Sequence, residues 1–183
     1  QRLLIEAAAI LRQRDIRDAV FVLAGDPQGR EAYVRELDEM ISRYQLGGIV
    51  RRVGHVADMP AAYLAASIVT VPSTEPEAFG RVAVEAQAMG TPVIVSELGA
   101  VPETVLAPPE VKPELRTGWR VPPKDANALA EAIEMALTLR PSARDALAER
   151  ARRHVENHFS LDRMVADTLD VYVALLQNNA RGH

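Results

Sequence analysis

The segment SIVTVPSTEPEAFGRVAVEAQAMGTPVIVSE, residues 67–97, decides the fold that the sequence predicts. Its two ends, SIVTVPS and TPVIVSE, are short apolar runs rich in β-branched residues, which favour strands. Between them, RVAVEAQAMG has the composition of a helix and is closed by Gly90. A strand, a helix and a second strand in this order predict a βαβ unit, whose two strands lie parallel in one sheet.

The same alternation of strands and helices extends in both directions from this unit. Short apolar runs without polar alternation are typical of a parallel sheet that is covered on both faces. We therefore predict an α/β fold, a Rossmann-like open parallel sheet of about five strands with C-terminal helices. The helix REAYVRELDEMISRYQLGG is expected to end at Gly47 and Gly48. The predicted strands are AVFVLAG, IVRRVG, SIVTVPS, TPVIVSE and TGWRVPP.

The chain divides into a sheet-containing part and a helical tail. We expect residues 1–141 to form the Rossmann-like lobe and residues 142–183 to form a tail of the same lobe. The first residues are already apolar at helical spacing, so we expect the lobe to be truncated at its N-terminus. Four residues stand where helix N-caps are expected, namely Asp58, Asp125, Ser142 and Ser160.

Composition excludes several classes of function. With 183 residues, of which 48% are hydrophobic, the chain can bury the core of one domain or of one lobe of a larger enzyme. The formal net charge of −4 argues against a nucleic-acid-binding protein, because no basic surface would attract phosphate backbones. Without cysteine there is no thiolate nucleophile and no zinc–thiolate site. The histidines, at positions 55, 154, 158 and 183, lack metal-ligand spacing.

The loop after the third predicted strand has the chemistry of an anion-binding site. In open α/β sheets, ligands bind at the carboxyl ends of the strands. The segment 79–81 enters a helix, where free N–H groups and the helix dipole favour a phosphate. Gly80 would let the backbone approach the phosphate closely, and Arg81 would add a positive charge.

Two glutamates flank the start of this helix. Glu85 lies one turn inside it on the face of Arg81, among apolar residues where an unpaired buried carboxylate costs a few kcal/mol. A carboxylate can accept from both hydroxyls of a ribose, so Glu85 is a candidate ribose-binding residue. Glu77, on the loop, would accept from hydroxyls of a second sugar beyond the phosphates. The alternatives are a solvent-exposed glutamate at position 85 and a helix-capping carboxylate at position 77.

The E-x7-E spacing of Glu77 and Glu85, within PEAFGRVAVEAQAMGTPVI, resembles the signature of retaining family-4 glycosyltransferases with the GT-B fold. The flanking segments occur in the order found in that family, so the resemblance covers essentially the whole chain. It corresponds to the C-terminal lobe, which binds the nucleotide-sugar donor. The flanking segments are VLAGD, VGHVADMPAAYLAASIVTVPS, SELGAVPETV, TGWRVPPKDANALAEAI and ENHFSLDRM.

The resemblance implies a role for each residue of the motif. Glu85 would hold the ribose, and N–H groups near Gly80 would bind phosphate oxygens. Glu77 would act as the catalytic residue that orients the donor sugar. By the same resemblance, the donor would be bound by Glu77, Ala78, Phe79, Gly80, Arg81, Val82 and Glu85, and the base would be lined by Gly54, His55, Val56 and Met59.

The resemblance also implies an activity. The enzyme would transfer a sugar from a UDP- or GDP-sugar with retention of configuration, without a metal or other cofactor, in bacterial polysaccharide or lipopolysaccharide assembly. A glycan or lipid-linked acceptor would bind to an N-terminal lobe outside this sequence, and an Arg and a Lys that neutralise the diphosphate would precede Gln1. We expect a cytoplasmic protein or one at the inner face of the membrane. The isolated chain is expected to bind the nucleotide weakly and to transfer nothing.

Other classes of function remain open at this point. A sugar-nucleotide epimerase or a phosphorylase would use the same architecture. A phosphorylase needs a lysine for its pyridoxal cofactor, and the two lysines, Lys112 and Lys124, lie in predicted loops. A non-catalytic nucleotide-binding or interaction module with a degenerate site is a further alternative, against which the presence of both Glu77 and Glu85 argues.

Overall fold

In the computed structural model, which describes residues 1–181, strands and helices alternate and are followed by two long helices. The last two residues of the predicted tail, including His183, lie outside the described residues. The elements are α1 (Arg2–Gln13), β1 (Phe21–Ala24), α2 (Glu31–Arg43), β2 (Val50–Gly54), α3 (Met59–Ala65), β3 (Val69–Val71), α4 (Arg81–Ala88), β4 (Val93–Ser96), α5 (Val101–Thr104), a 3-10 turn (Pro113–Leu115), β5 (Trp119–Val121), α6 (Ala126–Leu137), α7 (Pro141–Phe159) and α8 (Leu161–Arg181).

The five predicted strands are all present and pair only in parallel, which confirms the α/β class. Strand β1 pairs with β2, and β4 lies between β3 and β5. The strands divide into a two-stranded and a three-stranded sheet. Between β1 and β3 lies a cavity of about 920 Å³, which we call the β1–β3 groove.

Alternate residues along the strands face two apolar clusters. The larger cluster includes Leu3 of α1, Ile94 of β4 and Ile133 of α6. The smaller cluster is formed by side chains of α3, α4 and the opposite strand faces, including Tyr63 and Val95. Because neighbouring residues of β4 point into different clusters, the two clusters cover opposite faces of the sheet.

Three of the four predicted caps are confirmed. Asp58 and Asp125 each accept a hydrogen bond at 2.9 Å from the N–H three residues later, and Ser160 accepts one at 3.3 Å at the start of α8. The prediction for Ser142 is wrong, since α7 already begins at Pro141. Proline has the fixed φ of a first helical residue and lacks the N–H that a cap would satisfy, so it starts the helix itself.

Helix α2 ends earlier than predicted. Its last residue is Arg43, and Gln45 already has a φ of 53°, a left-handed conformation that turns the chain out of the helix. The prediction that this helix ends at Gly47 and Gly48 is therefore wrong. The two glycines instead belong to the turn that leads into β2, where Gly47 forms an isolated parallel bridge to Val50.

The helical tail begins against the sheet-containing part and ends away from it. Helix α7 packs on α4, and the Arg152 side chain donates to the Met89 carbonyl at 2.8 Å. Helix α8 contacts α7 and exposes many apolar side chains. Within residues 1–181, no helix combines the length and the apolar composition needed to cross a membrane. The exposed apolar residues of α8 are Leu161, Met164, Val165, Leu169, Val171, Tyr172, Val173, Leu175 and Leu176.

Candidate functional site

The loops that follow β3 and β4 meet at the carboxyl edge of the sheet. The Ala100 N–H donates to the Glu77 carbonyl oxygen at 3.1 Å. Gly99 has a φ of +60°, and a Cβ built there would lie 2.3 Å from the same carbonyl oxygen. No side chain fits at Gly99, so this glycine is what allows the second loop to hold the backbone of Glu77.

The Glu77 side chain is half-buried and is fixed beside the start of α4. The Ser73 hydroxyl donates to Glu77 Oε1. The other oxygen, Oε2, lies 3.5 Å from the point where a Cβ would stand at Gly80. Nothing in the sequence alone singles out Ser73, because its role depends on the path of the loop between residues 73 and 77.

The start of α4 has the geometry of an anion-binding site. Gly80 is the N-cap with a φ of +77°, and its carbonyl accepts from the N–H groups of Ala83 and Val84 at 3.0 and 3.3 Å. The N–H groups of Arg81 and Val82 have no acceptor within residues 1–181. Two free N–H groups at a helix N-terminus, with the helix dipole behind them, favour a phosphate oxygen.

Glu85 is less buried than its apolar neighbours suggested, with 41% of its side chain exposed. Tyr63 on α3 donates its hydroxyl to Glu85 Oε2 at 2.8 Å, and Arg81 Nε lies 3.2 Å from Oε1. Both oxygens therefore have a partner without a sugar. Burial first, and then the hydrogen bond and charge of Glu85, raise the pKa of Tyr63 to about 12, so it remains a hydrogen-bond donor.

The segment predicted to line a base begins where the loops after β1 and β2 meet. The Gly25 N–H donates to the Gly54 carbonyl at 2.8 Å. His55 is exposed, Val56 is half-buried, and Met59 packs against the cluster that contains Tyr63. Met59 also lines the β1–β3 groove together with Val82 of α4. The β1–β3 groove is therefore lined both by the segment predicted to contact the base and by α4, whose start is predicted to bind the phosphates.

The remaining predicted donor-binding residues, Ala78 and Phe79, lie exposed on the loop before α4. The Phe79 ring packs edge-to-face against Phe159 at the end of α7, with the centroids 5.5 Å apart. Phe159 packs in the same manner against His154, at 5.4 Å. An aromatic chain therefore connects the helical tail to the loop of Glu77, a contact that the sequence did not predict.

His154 makes the tail sensitive to pH. Burial first, and then electrostatic repulsion from the neighbouring His158, lower the pKa of His154. The folded state therefore favours the neutral imidazole. This contribution to stability is fully present above the ordinary histidine pKa and is lost as the pH falls from there through the lowered pKa of the folded state.

We expect the melting temperature to fall between pH 7.5 and pH 5.5, and to fall less in His154→Asn. Circular dichroism melts at the two pH values measure the difference. The exposed His55→Asn is the matched control and should keep the full pH dependence. An unchanged pH dependence in His154→Asn would contradict the assignment.

No group of three His, Cys, Asp or Glu side chains close enough to hold a metal ion occurs among residues 1–181.

Residues 1–154 match the family of glycosyl transferases group 1. The chain belongs to this family. Among the curated members that it resembles is the D-inositol 3-phosphate glycosyltransferase of Salinispora tropica, with 40% identity over 92% of this chain and 34% of that protein. The protein of the same name from Salinispora arenicola is 36% identical over 92% of this chain and 37% of that protein. The chain thus spans little more than a third of these relatives.

Solved glycosyltransferases share the fold. A glycosyltransferase from Rickettsia africae is similar over 96% of this chain and 44% of the Rickettsia chain, with a TM-score of 0.84 and 31% sequence identity. Anabaena HepE, solved in complex with UDP and glucose, matches 93% of this chain and 44% of its own, with a TM-score of 0.78 and 30% identity. The fold of this group 1 glycosyltransferase chain is therefore that of one lobe of a GT-B enzyme, as predicted.

Proposed function

We propose that this chain is the donor-binding lobe of a glycosyltransferase that uses a nucleoside-diphosphate sugar. The observation that carries the proposal is the order of polar groups along one helix start. Glu77 precedes it, the free N–H groups of Arg81 and Val82 form it, and Glu85 lies one turn inside it. This order suits a transferred sugar, a diphosphate and a ribose.

The proposed mechanism rests on stabilising the leaving group. When the bond between the sugar and the diphosphate breaks, negative charge develops on the phosphate oxygens. The free N–H groups at the start of α4 would bind this charge, and the exposed Arg81 guanidinium would add to the local positive potential. Glu77, held by Ser73 and by the Ala100 N–H, would orient the sugar for attack by the acceptor.

Several finer features belong to the same proposal. Transfer would retain the configuration of the anomeric carbon and need no metal, and the whole enzyme would work in the cytoplasm or at the inner face of the membrane.

The acceptor has two candidate classes. One is a glycan or lipid-linked acceptor of polysaccharide or lipopolysaccharide assembly, and the other is an inositol phosphate, which the name of the curated relatives suggests. A full-length enzyme offered both acceptors would distinguish them, and NMR of the product's anomeric proton would test retention.

The direct test is a titration of this chain with UDP, GDP, ADP and UDP-glucose, followed by NMR. We expect saturable binding of one nucleoside diphosphate, weak because other parts of the enzyme complete the site, and no sugar transfer by the chain alone. A chain that bound none of the four would contradict the donor-binding role. Measurable transfer by the isolated chain would contradict the proposal that other parts of the enzyme are needed to complete the site.

Tyr63 offers a sharper test of the ribose position. In Tyr63→Phe, Glu85 loses the donor that orients Oε2, and we expect UDP to bind about 10-fold more weakly, since one hydrogen bond to a charged group contributes about 1.5 kcal/mol. The affinities of the variant and the wild type for 2′-deoxy-UDP should differ less than their affinities for UDP. Tyr44→Phe, at the residue that follows α2, is the control. Equal weakening for both nucleotides would assign Tyr63 a structural role only.

A further inference from the structure

Gln87 is a fully buried polar side chain on α4, behind the proposed donor site. It lies two residues after Glu85, which places it on the opposite face of the helix. Its amide nitrogen, Nε2, donates to the Ala83 carbonyl at 3.2 Å and to the Thr104 carbonyl at 2.9 Å. Both neighbours are acceptors, so the nitrogen of the amide must face them. The bond to Thr104 joins α4 to the end of α5.

The oxygen of the same amide has no partner. Within the part of the chain that the structure describes, residues 1–181, no group donates to the buried Gln87 Oε1. A buried amide oxygen without a donor lowers stability. A methionine fills a similar space without that cost. Stability alone therefore does not account for a glutamine here, and the hydrogen bond to α5 is what the glutamine adds.

Helix α5 contacts the surroundings of the donor site at both of its ends. At its N-cap, the Ala100 N–H donates to the Glu77 carbonyl oxygen at 3.1 Å. At its last residue, Thr104 Oγ1 lies 3.8 Å from the point where a Cβ would stand at Gly80, the N-cap of α4. The helix has only four residues, so a bond that fixes its last carbonyl also restricts the movement of its N-cap.

We propose that Gln87 is a positioning residue for the donor sugar, because its amide fixes α5 against α4 and α5 in turn holds Glu77 where the sugar binds. The inference rests on the proposed function, in which Glu77 orients the transferred sugar. Gln87 has no exposed surface and cannot touch the nucleotide, whereas Glu85 on the other face of α4 is partly exposed. Loss of the Gln87 amide should therefore affect the sugar and spare the nucleotide.

The test is Gln87→Met, which keeps the approximate shape of the side chain and removes both of its hydrogen bonds. We expect UDP-glucose to bind about 10-fold more weakly, because a hydrogen bond to the sugar is lost once its acceptor moves by about 1 Å. UDP should bind within about two-fold of the wild type. An NMR titration with both ligands measures the difference. Equal weakening for UDP and UDP-glucose, or no weakening for either, would overturn the proposal.

The Ala100 amide reports on the same contact without a ligand. Its hydrogen exchange should become about 10-fold faster in Gln87→Met, because the other end of α5 is released. Unchanged exchange at Ala100 would show that Gln87 does not hold this loop. A wild-type chain that bound neither UDP nor UDP-glucose would instead overturn the proposed function and, with it, the link between Gln87 and the sugar. The two failures are therefore distinguishable.

Thr117→Val is the matched control. Thr117 is also buried, and its hydroxyl accepts from the Leu106 N–H at 3.0 Å, in the segment that follows α5. The variant loses a buried hydrogen bond but leaves the Thr104 carbonyl bound to Gln87. We expect a lower urea midpoint in this variant, with the same ratio of UDP-glucose to UDP affinity as in the wild type.

Gln87→Met should show the reverse pattern. We expect a changed affinity ratio with little change in the urea midpoint, because removal of the unpaired Oε1 offsets the lost hydrogen bonds. A ratio that changed as much in Thr117→Val as in Gln87→Met would assign Gln87 a structural role only and overturn the proposal.

Discussion

Glu85→Ala should weaken the binding of UDP by about 100-fold or more. The carboxylate is the proposed acceptor for two ribose hydroxyls, and hydrogen bonds to a charged group contribute about 1.5–3 kcal/mol each. Its orientation is already set by Tyr63 and Arg81, so little reorganisation opposes binding in the wild type. Ligand-observed NMR titration of wild type and variant measures the loss.

Two controls separate this effect from a change in folding. Glu75→Gln removes an exposed carboxylate from the neighbouring loop and should leave UDP affinity within about two-fold of the wild type. Urea unfolding should show that Glu85→Ala changes stability little, because the carboxylate is partly exposed. Undiminished UDP binding by Glu85→Ala would remove Glu85 from the site while leaving the fold assignment intact.

Gly99→Ala should lower the free energy of unfolding by about 3 kcal/mol and abolish nucleotide-sugar binding. The left-handed φ alone costs alanine about 1 kcal/mol. The added Cβ would also lie 2.3 Å from the Glu77 carbonyl oxygen and 2.9 Å from its nitrogen, so the two loops must separate. Glu77 would then lose the hydrogen bond from the Ala100 N–H and its fixed position.

Gly29→Ala is the matched control for this prediction. Gly29 has a similar φ of +76°, and a Cβ at that position would meet nothing within 4 Å. It should therefore show only the conformational cost, about 1 kcal/mol, with normal binding of UDP-glucose. Urea titrations of both variants measure stability, and the NMR titration measures binding. Equal destabilisation by the two substitutions would show that the contact with Glu77 has no energetic role.

The fold could be predicted because its signals are local. Continuous apolar runs indicated buried parallel strands, and Asp58 and Asp125 cap their helices through the N–H three residues later. The position of Glu77 and Glu85 around the start of α4 is local too, since both follow from the spacing within one loop and one helix. Ser142 was misplaced because a neighbouring proline competes for the same helix start.

The rest of the site depends on contacts between distant residues. Tyr63 meets Glu85 across 22 positions, and only the packing of α3 on α4 brings them together. The approach of Gly99 to Glu77 and the contact of Phe79 with Phe159 likewise depend on tertiary structure. No periodicity marks such pairs, because side chains of different elements meet only once the core is packed. The division of the strands into two sheets likewise depends on tertiary structure.

The aromatic contact between Phe79 and Phe159 has a thermodynamic consequence. If the loop of Glu77 closes on a donor, the end of α7 shares in that change, because the two rings are packed together. Linkage then requires reciprocity. A molecule that binds to α7 or α8 and alters this contact would change the affinity of the lobe for the donor by some factor. The donor would then change the affinity of the lobe for that molecule by the same factor. The helical tail would thus act as a remote regulator of the donor site.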